Sequence, residues 1–336
     1  MIIAVDAMGG DHAPHEIVKG CIAAQKELDV EIFLVGDKDT IEKEIKKYNG
    51  DLNKIHIKHC TEIVNNHDKP VQAIRQKKDS SMVVGLNMLK RQEVDAFISA
   101  GNTGALLAGS LFQIGRIKGI DRPAIAVPYP TRKGISLLVD AGANAECKAK
   151  NLLEFAMMGK IYAEKVLNVE ETRVGLVNIG SEEGKGTEIV KKAYELLNNS
   201  ELNFIGNIEA RELPNGAADI IVCDGFVGNV ILKLTEGVAI TIMTMLKNAL
   251  EKNLLSKLGA LLLMPTLRKF KKELDYTEYG GALLLGVNGA VIKAHGSSNA
   301  KAVKNAIVQA EKFVEQQIIQ SIHTEMMRIG DEKDGN

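Results

Sequence analysis

One pattern repeats along this chain and restricts the folds open to it. A short β-branched apolar run ends in a glycine-rich polar loop, and a helical stretch usually follows. Ile2 to Val5 leads into Asp6–Pro14 (DAMGGDHAP), and Ala96 to Ile98 into Ser99–Ala105 (SAGNTGA). Ile135 to Val139 leads into Asp140–Asn144 (DAGAN), and Val174 to Val177 into Asn178–Glu188 (NIGSEEGKGTE). Ile220 to Val222 leads into Cys223–Asn229 (CDGFVGN), and Val291 to Ala294 into His295–Asn299 (HGSSN). Continuous apolar runs of this length suit strands covered on both faces, and the intervening helices imply crossovers. The expected fold is therefore α/β: a three-layer αβα arrangement around a mainly parallel sheet. With no Pro-rich linker, low-complexity tract or internal repeat, residues 1–330 read as a single domain and 331–336 as a disordered tail.

Two stretches depart from the pattern. Residues 236–263 read as one long helix with an apolar stripe at Met243, Leu246, Leu250, Leu254, Leu258 and Leu261. Pro265 is expected to break it, and Leu267, Phe270 and Leu274 to mark a shorter second helix. Together they predict a helical hairpin at about 236–275 protruding from the α/β body. Its apolar surface broadens at Leu255, Leu258, Leu261, Leu262, Leu263 and Met264, and Arg268, Lys269, Lys271 and Lys272 follow. That arrangement suits an anionic membrane surface, with Leu255, Leu258 and Leu262 as contact residues, or a helix packed on a second copy of the chain. A final helix is expected from about Asn299 to Met327, with Ser297 and Ser298 as candidate N-caps.

Composition narrows the function. Lys+Arg 42 against Asp+Glu 43 gives a net charge of −1, and Trp is absent, so neither a basic field nor stacking platforms argue for nucleic acid. The N-terminus lacks a signal-peptide pattern, and no uninterrupted apolar run approaches the length of a membrane span. The four cysteines, 21, 60, 147 and 223, are far apart and form no CxxC, which points to a reduced cytoplasmic protein without structural zinc.

In an open parallel sheet ligands bind beyond the carboxyl ends of the strands, so the six loops are expected to converge on one rim. Glycines permit close backbone approach, and helix N-termini offer unpaired N–H groups, which suits an anion. Lys185, between Gly184 and Gly186, is placed to hold phosphate, although the loop is not a Walker A motif. Asp6, Asp140 and Asp224 each end a strand and are chemical groups or helix caps. Gly9, Gly10, Gly101, Asn102, Thr103, Gly104, Asn144 and Gly228 complete the candidate substrate-binding set. Asn229 and His295 join Lys185 as candidates for the chemistry. His12 and His15 lack a third ligand at zinc spacing, so no metal is expected. A G-x-S-x-G elbow and a GxGxxG fingerprint are both missing, which argues against a serine nucleophile and an NAD cofactor.

The strings MIIAVDAMGGDHAP, ISAGNTGALLAGSLFQIGRIKGIDRPA, LLVDAGAN, GLVNIGSEEGKGTE, FIGNIEAREL, VCDGFVGNVILK, YGGALLLG and VIKAHGSSNA closely resemble the bacterial phosphate acyltransferases of phospholipid synthesis. The likeness runs from residue 1 to about 325. It implies an isocitrate-dehydrogenase-like fold and transfer of a fatty acyl group from acyl carrier protein to inorganic phosphate, with no cofactor. It further implies a homodimer that supplies a membrane glycerol-3-phosphate acyltransferase. Phosphate is already an anion and a thiol is a good leaving group, so direct transfer needs no covalent acyl-enzyme. The basic segment Gly115–Arg122 (GRIKGIDR) is a candidate docking patch for an acidic carrier, or a solvated loop. A metal-dependent hydroxy-acid dehydrogenase of the same fold and a non-catalytic carrier-binding scaffold are the rival readings.

Overall fold

Alternation along each apolar run divides its side chains between two faces of one sheet. Ile3 and Val5 pack in one core cluster while Ala4 packs in the other, and Ala96 and Ile98 oppose Phe97 in the same way. The computed structural model describes residues 1–48, 54–274 and 280–334; side chains of 254, 255, 268–274 and 330–334 lie outside that description.

The first half of the chain comprises β1 (Ile2–Asp6), α1 (His15–Gln25), β2 (Glu31–Gly36), α2 (Lys38–Lys47), β3 (Ile55–His59), α3 (Pro70–Gln76), α4 (Ser81–Lys90), β4 (Ala96–Ser99) and α5 (Thr103–Gln113). Next come β5 (Ala124–Thr131), β6 (Gly134–Val139), α6 (Ala149–Val166), β7 (Val174–Asn178), α7 (Glu188–Asn198), β8 (Phe204–Glu209) and β9 (Ile220–Val222). The remainder is α8 (Gly225–Leu250), α9 (Leu254–Leu274), β10 (Ala282–Leu285), β11 (Ala290–Lys293), α10 (Ala300–Glu315) and α11 (Ile318–Asp334). All six runs picked out in the sequence are strands.

The described strands form one 11-stranded sheet, ordered β3-β2-β1-β4-β11-β10-β5-β6-β9-β7-β8. Seven neighbouring pairs are parallel, and the three antiparallel ones, β11–β10, β10–β5 and β5–β6, are consecutive across its middle. Three reversals leave β6, β9, β7 and β8 running opposite to β3, β2, β1, β4 and β11. The single rim expected from the sequence is therefore corrected to two facing rims. Register shows why they meet. Ser99 pairs with Lys293, Lys293 with Ala282, Leu283 with Ala126, and Ala126 with Val139. The carboxyl ends of β4, β11, β6 and β9 thus arrive at nearly one level from opposite directions, and a cleft opens between them.

The hairpin forms, but with a different break. α8 begins at Gly225 and ends at Leu250, and Asn253 Oδ1 starts α9 by accepting from Ser256 N at 2.8 Å. Pro265 lies inside α9; a local cap at Asn253 had already divided the stretch. By length and composition alone α8 is apolar enough to cross a membrane, with a mean hydropathy of 1.5 over its best window, although Lys233 and Glu236 interrupt its apolar run. Its first turns, however, are built into the α/β body, where Gly225 and Gly228 are buried against the Asp140–Asn144 loop. The C-terminal stretch is two helices, α10 and α11, separated at Gln317 with φ 51°. Asn299, not Ser297 or Ser298, caps α10 by accepting from Ala302 N at 3.0 Å. α11 continues to Asp334, so residues 331–334 of the expected tail are helical backbone; Ile329 packs against the core and Arg328 pairs with Glu325 and Glu201, carrying the helix beyond Met327.

α4 is held on β4 by the absence of a side chain. A Cβ at Gly85 would stand 2.1 Å from Phe97 Cε2, in a ring that is fully buried. Overpacking of this kind costs about 1–3 kcal/mol, more than the roughly 1 kcal/mol that alanine adds to helix propensity. Gly85→Ala is expected to lower the urea midpoint without altering the m-value; an unchanged or raised midpoint would show that Phe97 can move aside.

Candidate active site

The cleft between the facing rims has a volume of about 490 Å³. One wall is Ala100–Gly104 and Ala294–Gly296 from the β4 and β11 loops, and the other is Ala141, Gly142 and the α8 residues Asn229, Lys233 and Glu236. β5 and the start of β10 form its floor, through Ile125, Val127 and Gly280–Ala282.

Two buried carboxylates shape these walls. Ser99 Oγ donates to Asp6 Oδ2 at 2.7 Å and Met8 N to Oδ1 at 3.1 Å, while Gly101 N donates to Ser99 Oγ at 3.0 Å. Asp6 thereby ties the β1 loop to the start of α5. Gly9 is required there, because a Cβ would stand 2.5 Å from Asp6 Oδ2 and 2.8 Å from Gly101 N. Gly10, at φ +104°, lies behind Ala100 and Gly296, and Asp11 N donates to Gly296 O at 2.7 Å. On the facing wall Asp140 accepts from the N–H groups of Ile125, Gly142, Ala143 and Asn144 and from Asn144 Nδ2, at 2.7–3.1 Å. Burial pushes both carboxyls above the usual range, while the N–H and hydroxyl donors pull them back. Asp224 caps α8 through Val227 N at 2.8 Å. Of the two roles left open for these aspartates, the observed one is loop building and capping.

Gly101–Gly104 lead into α5, which Asn102 caps. Asn102 Oδ1 accepts from Ala105 N at 3.0 Å, and its amide donates to Asn66 O at 3.0 Å, which fastens the 65–68 loop to the helix. The N–H groups of Thr103 and Gly104, in the first turn, have no intrahelical acceptor. Across the cleft stands the exposed Asn229, packed beside Gly142. His295 Nδ1 accepts from Ser297 N at 3.2 Å and contacts Ser297 Oγ at 2.8 Å, which puts the proton of the neutral ring on Nε2. Burial, reinforced by the charges of Lys293 and Lys233, holds this imidazole below its ordinary pKa.

Five further candidates do not line the cleft. Asn144 is buried and spends its amide on Pro123 O and Asp140, because it closes the Asp140 loop. Gly228 is a packing glycine: a Cβ would lie 1.9 Å from the Asp140 carbonyl. Gly184 and Gly186 belong to the β7–α7 loop, two strands from β6, and so does Lys185. Lys185 is half exposed, with Nζ 3.9 Å from Glu182. That loop is nevertheless a shaped one. Asn178 Nδ2 donates to Lys185 O at 3.0 Å, Asn207 Nδ2 to Glu182 O at 2.9 Å, and Gly186 at φ +87° sits against Asn178. His15 is turned away to Glu44, at 3.0 Å, and to the Tyr48 hydroxyl.

Sequence reasoning missed Lys233, Glu236 and Lys293. The first two lie inside an apolar helix, where single charges at i and i+3 read as solvated. Lys293 ends a strand, and only its placement after four buried residues hinted that it faces a rim. The thiols are set against reactivity: burial pushes Cys147 up to about 12, and Cys223 stands well above the ordinary range through burial and the neighbouring Asp140 and Asp224.

The fold is of the isocitrate-dehydrogenase-like α/β kind. Solved structures agree: a phosphotransacetylase from Streptococcus pyogenes superposes with a TM-score of 0.63 at 15% identity, over 95% of this chain and 94% of that one. A structure titled as a 4-hydroxythreonine-4-phosphate dehydrogenase from Salmonella typhimurium gives 0.52 at 10% identity, over 93% and 98% of the two chains. A family model described as Fatty acid synthesis protein matches residues 1–321. A protein named Phosphate acyltransferase from Alkaliphilus oremlandii is 60% identical over 99% of each chain. The chain belongs to the phosphate acyltransferase family and is an acyltransferase of lipid biosynthesis.

The Asp140 network lends itself to a direct test. Deleting the acceptor strands several buried N–H donors, each costing about 1–3 kcal/mol. Asp140→Ala is expected to lose at least about 2 kcal/mol in denaturant unfolding and to lose activity with it. A variant as stable as its parent would mean that the loop N–H groups find other acceptors.

Proposed function

We propose that the enzyme transfers a fatty acyl group from acyl carrier protein to inorganic phosphate by direct attack, in support of phosphatidic acid and phospholipid synthesis. The observation carrying this reading is the cleft itself: it joins a helix N-terminus, an amide and a neutral imidazole, and its lining contains neither Ser nor Cys. In the proposed reaction a phosphate oxygen bonds to the acyl carbon while the carbonyl π pair moves onto oxygen. Collapse expels the thiolate, which receives the proton of hydrogen phosphate. The Thr103 and Gly104 N–H groups seat phosphate at the start of α5, and Asn229 and the His295 Nε2–H stabilise the oxyanion. Lys185, on its shaped loop outside the cleft, adds a longer-range attraction that draws the anion toward the rim. The high-lying Cys147 and Cys223 thiols support transfer without an acyl-enzyme.

Acyl-ACP plus phosphate, without added metal or nucleotide, should release free thiol and a hydroxylamine-trappable acyl phosphate; a trapped acyl-enzyme or strict divalent-metal dependence would rule out this mechanism. Lys185→Ala should lower kcat/KM for phosphate by only about 2–5-fold at low ionic strength, the loss of one steering charge, less as salt is raised, with the fold intact. Unchanged phosphate kinetics at low salt would remove this role from Lys185. For the carrier, Arg116, Arg122 and Lys148 line a separate cavity of about 640 Å³ behind the Asp140 loop together with Asp121 and Glu146, a mixed surface on which the cations offer contacts to an acidic partner.

The hairpin supports a homodimer that works in the cytoplasm against the membrane. Phe226, Val230, Leu234, Val238, Ile242 and Met245 of α8 are 47–66% exposed at steps of three or four, a stripe that a second copy would cover. On α9, Leu258, Leu261, Leu262 and Leu263 are 51–83% exposed, while the side chain of Leu255 lies outside the described residues, as do those of Arg268, Lys269, Lys271 and Lys272. Burying such leucines at about 1.5–3 kcal/mol each, less ordering costs, gives reversible contact with anionic lipid. Delivery of a labile acyl phosphate to a membrane glycerol-3-phosphate acyltransferase would then be short. Leu258→Glu should abolish sedimentation with anionic liposomes while sparing the dimer and solution turnover; a monomeric variant would instead assign Leu258 to the subunit interface.

A further inference from the structure

Lys293 ends β11, and its side chain lies partly exposed along the cleft wall. Its ammonium donates to Ala100 O at 3.3 Å and to Ala294 O. Ala100 immediately precedes the Gly101–Gly104 loop, and Ala294 immediately precedes His295. One cation is therefore pinned where the helix-start loop and the imidazole-bearing strand end meet. Both hydrogen-bond partners are neutral carbonyls, so the positive charge keeps its field for an incoming anion. The surrounding charges come from three elements: Asp6 from β1 and Asp11 from the following loop attract, while Lys233 of α8 opposes; His295 beside it presents a neutral ring. Glu236 of α8 lines the same cleft. Asp6 is already engaged by Ser99 and its own loop. Burial pushes the Lys293 ammonium down to about 8, Lys233 adding to the fall while Asp6 and Asp11 oppose it. At neutral pH it is still mainly protonated, and it discharges within the range in which a bacterial enzyme is assayed.

We propose that Lys293 is the fixed cation that binds the attacking phosphate and holds it between the start of α5 and His295. The inference rests on the direct-transfer reading and adds to it the residue that supplies the countercharge. Lys293 stays protonated throughout the step: phosphate oxygen forms the new bond to the acyl carbon, sulfur leaves with the C–S pair, and the proton that sulfur gains is that of hydrogen phosphate. Charge alone is needed from the lysine, so arginine should substitute for it and a neutral side chain should not.

The test uses the full chain with Lys293→Met and Lys293→Arg, followed by thermal unfolding, phosphate kinetics from pH 6.5 to 9.5, and calorimetric titration with inorganic phosphate. Lys293→Met is expected to lower kcat/KM for phosphate by about 10–100-fold with little change in the KM for acyl-ACP, and Lys293→Arg to recover most of it. In the parent, kcat/KM for phosphate should fall as pH rises through about 8, because the neutral amine no longer attracts the anion, and in Lys293→Arg that limb should move upward. A folded Lys293→Met with parental phosphate kinetics, or an alkaline limb that arginine leaves in place, overturns the proposal. Should Lys293→Met fail to fold, the pH limb of Lys293→Arg decides. Should the parent make no acyl phosphate at all, the functional reading fails, and Lys293 is then judged by calorimetry alone: weaker phosphate binding in the arginine variant above pH 8 than in the parent would overturn it.

Discussion

Everything at the active site depends on the reversal of strand direction in the middle of the sheet. In a uniformly parallel sheet the loops after β4, β11, β6 and β9 would share one edge and splay apart with the sheet's twist. Here β10 and β5 intervene with three successive antiparallel pairings, and the two parallel halves offer their carboxyl ends to one another. The usual rule that ligands bind beyond strand ends then acts from both sides of a cleft. Residues as distant in sequence as Gly101, Gly142, Asn229 and His295 come to line one volume.

Buried acid groups do the shaping, and this is where chemistry and architecture separate. Asp6 and Asp140 stand at strand ends, where a catalytic carboxylate is expected in many α/β enzymes, yet each is surrounded by the N–H or hydroxyl groups of its own loop. Carboxylates of this kind act as templates: they gather donors that would otherwise remain unpaired in a low-dielectric interior. Glycines at 9 and 228 are part of the same construction, because the backbone approaches too closely for any Cβ. The consequence for function is indirect. A template fixes where the first turn of α5 and the first turn of α8 face each other, and those turns carry Thr103, Gly104 and Asn229 on the cleft walls.

A cleft built in this way suits the proposed acyl transfer, in which the acceptor is already charged. In that reading the burden on the protein is to position and to stabilise charge, which amides, main-chain N–H groups and cations supply, while the nearby thiols are kept protonated by burial. Membership of the phosphate acyltransferase family and an isocitrate-dehydrogenase-like fold are consistent with that economy of parts. The long exposed apolar stripe on α8 grows from the same cleft wall, so any surface that covers it is mechanically close to the chemistry.

Local sequence patterns were sufficient wherever the deciding forces are local. Continuous apolar runs such as Ile2–Val5 and Ile220–Val222 specify buried strands, because period-two alternation must fill both faces of a covered sheet. The same holds for the glycine-rich turns that follow them and for the long motifs that carry the family resemblance. Capping was harder to read, since Asn253 and Asn299 decide helix boundaries through single side-chain bonds that compete with equally plausible serines and with Pro265. Which loops would meet was not legible at all. Strand polarity is set by pairings between residues far apart in the chain, such as Leu283 with Ala126 and Ala126 with Val139, and it left Lys185 at the rim while bringing Lys293 and Lys233 into the cleft. The sequence by itself determined the elements, their buried faces and the kind of enzyme; only the tertiary structure decided which side chains face one another, because that rests on long-range register and on the stagger of two opposed half-sheets.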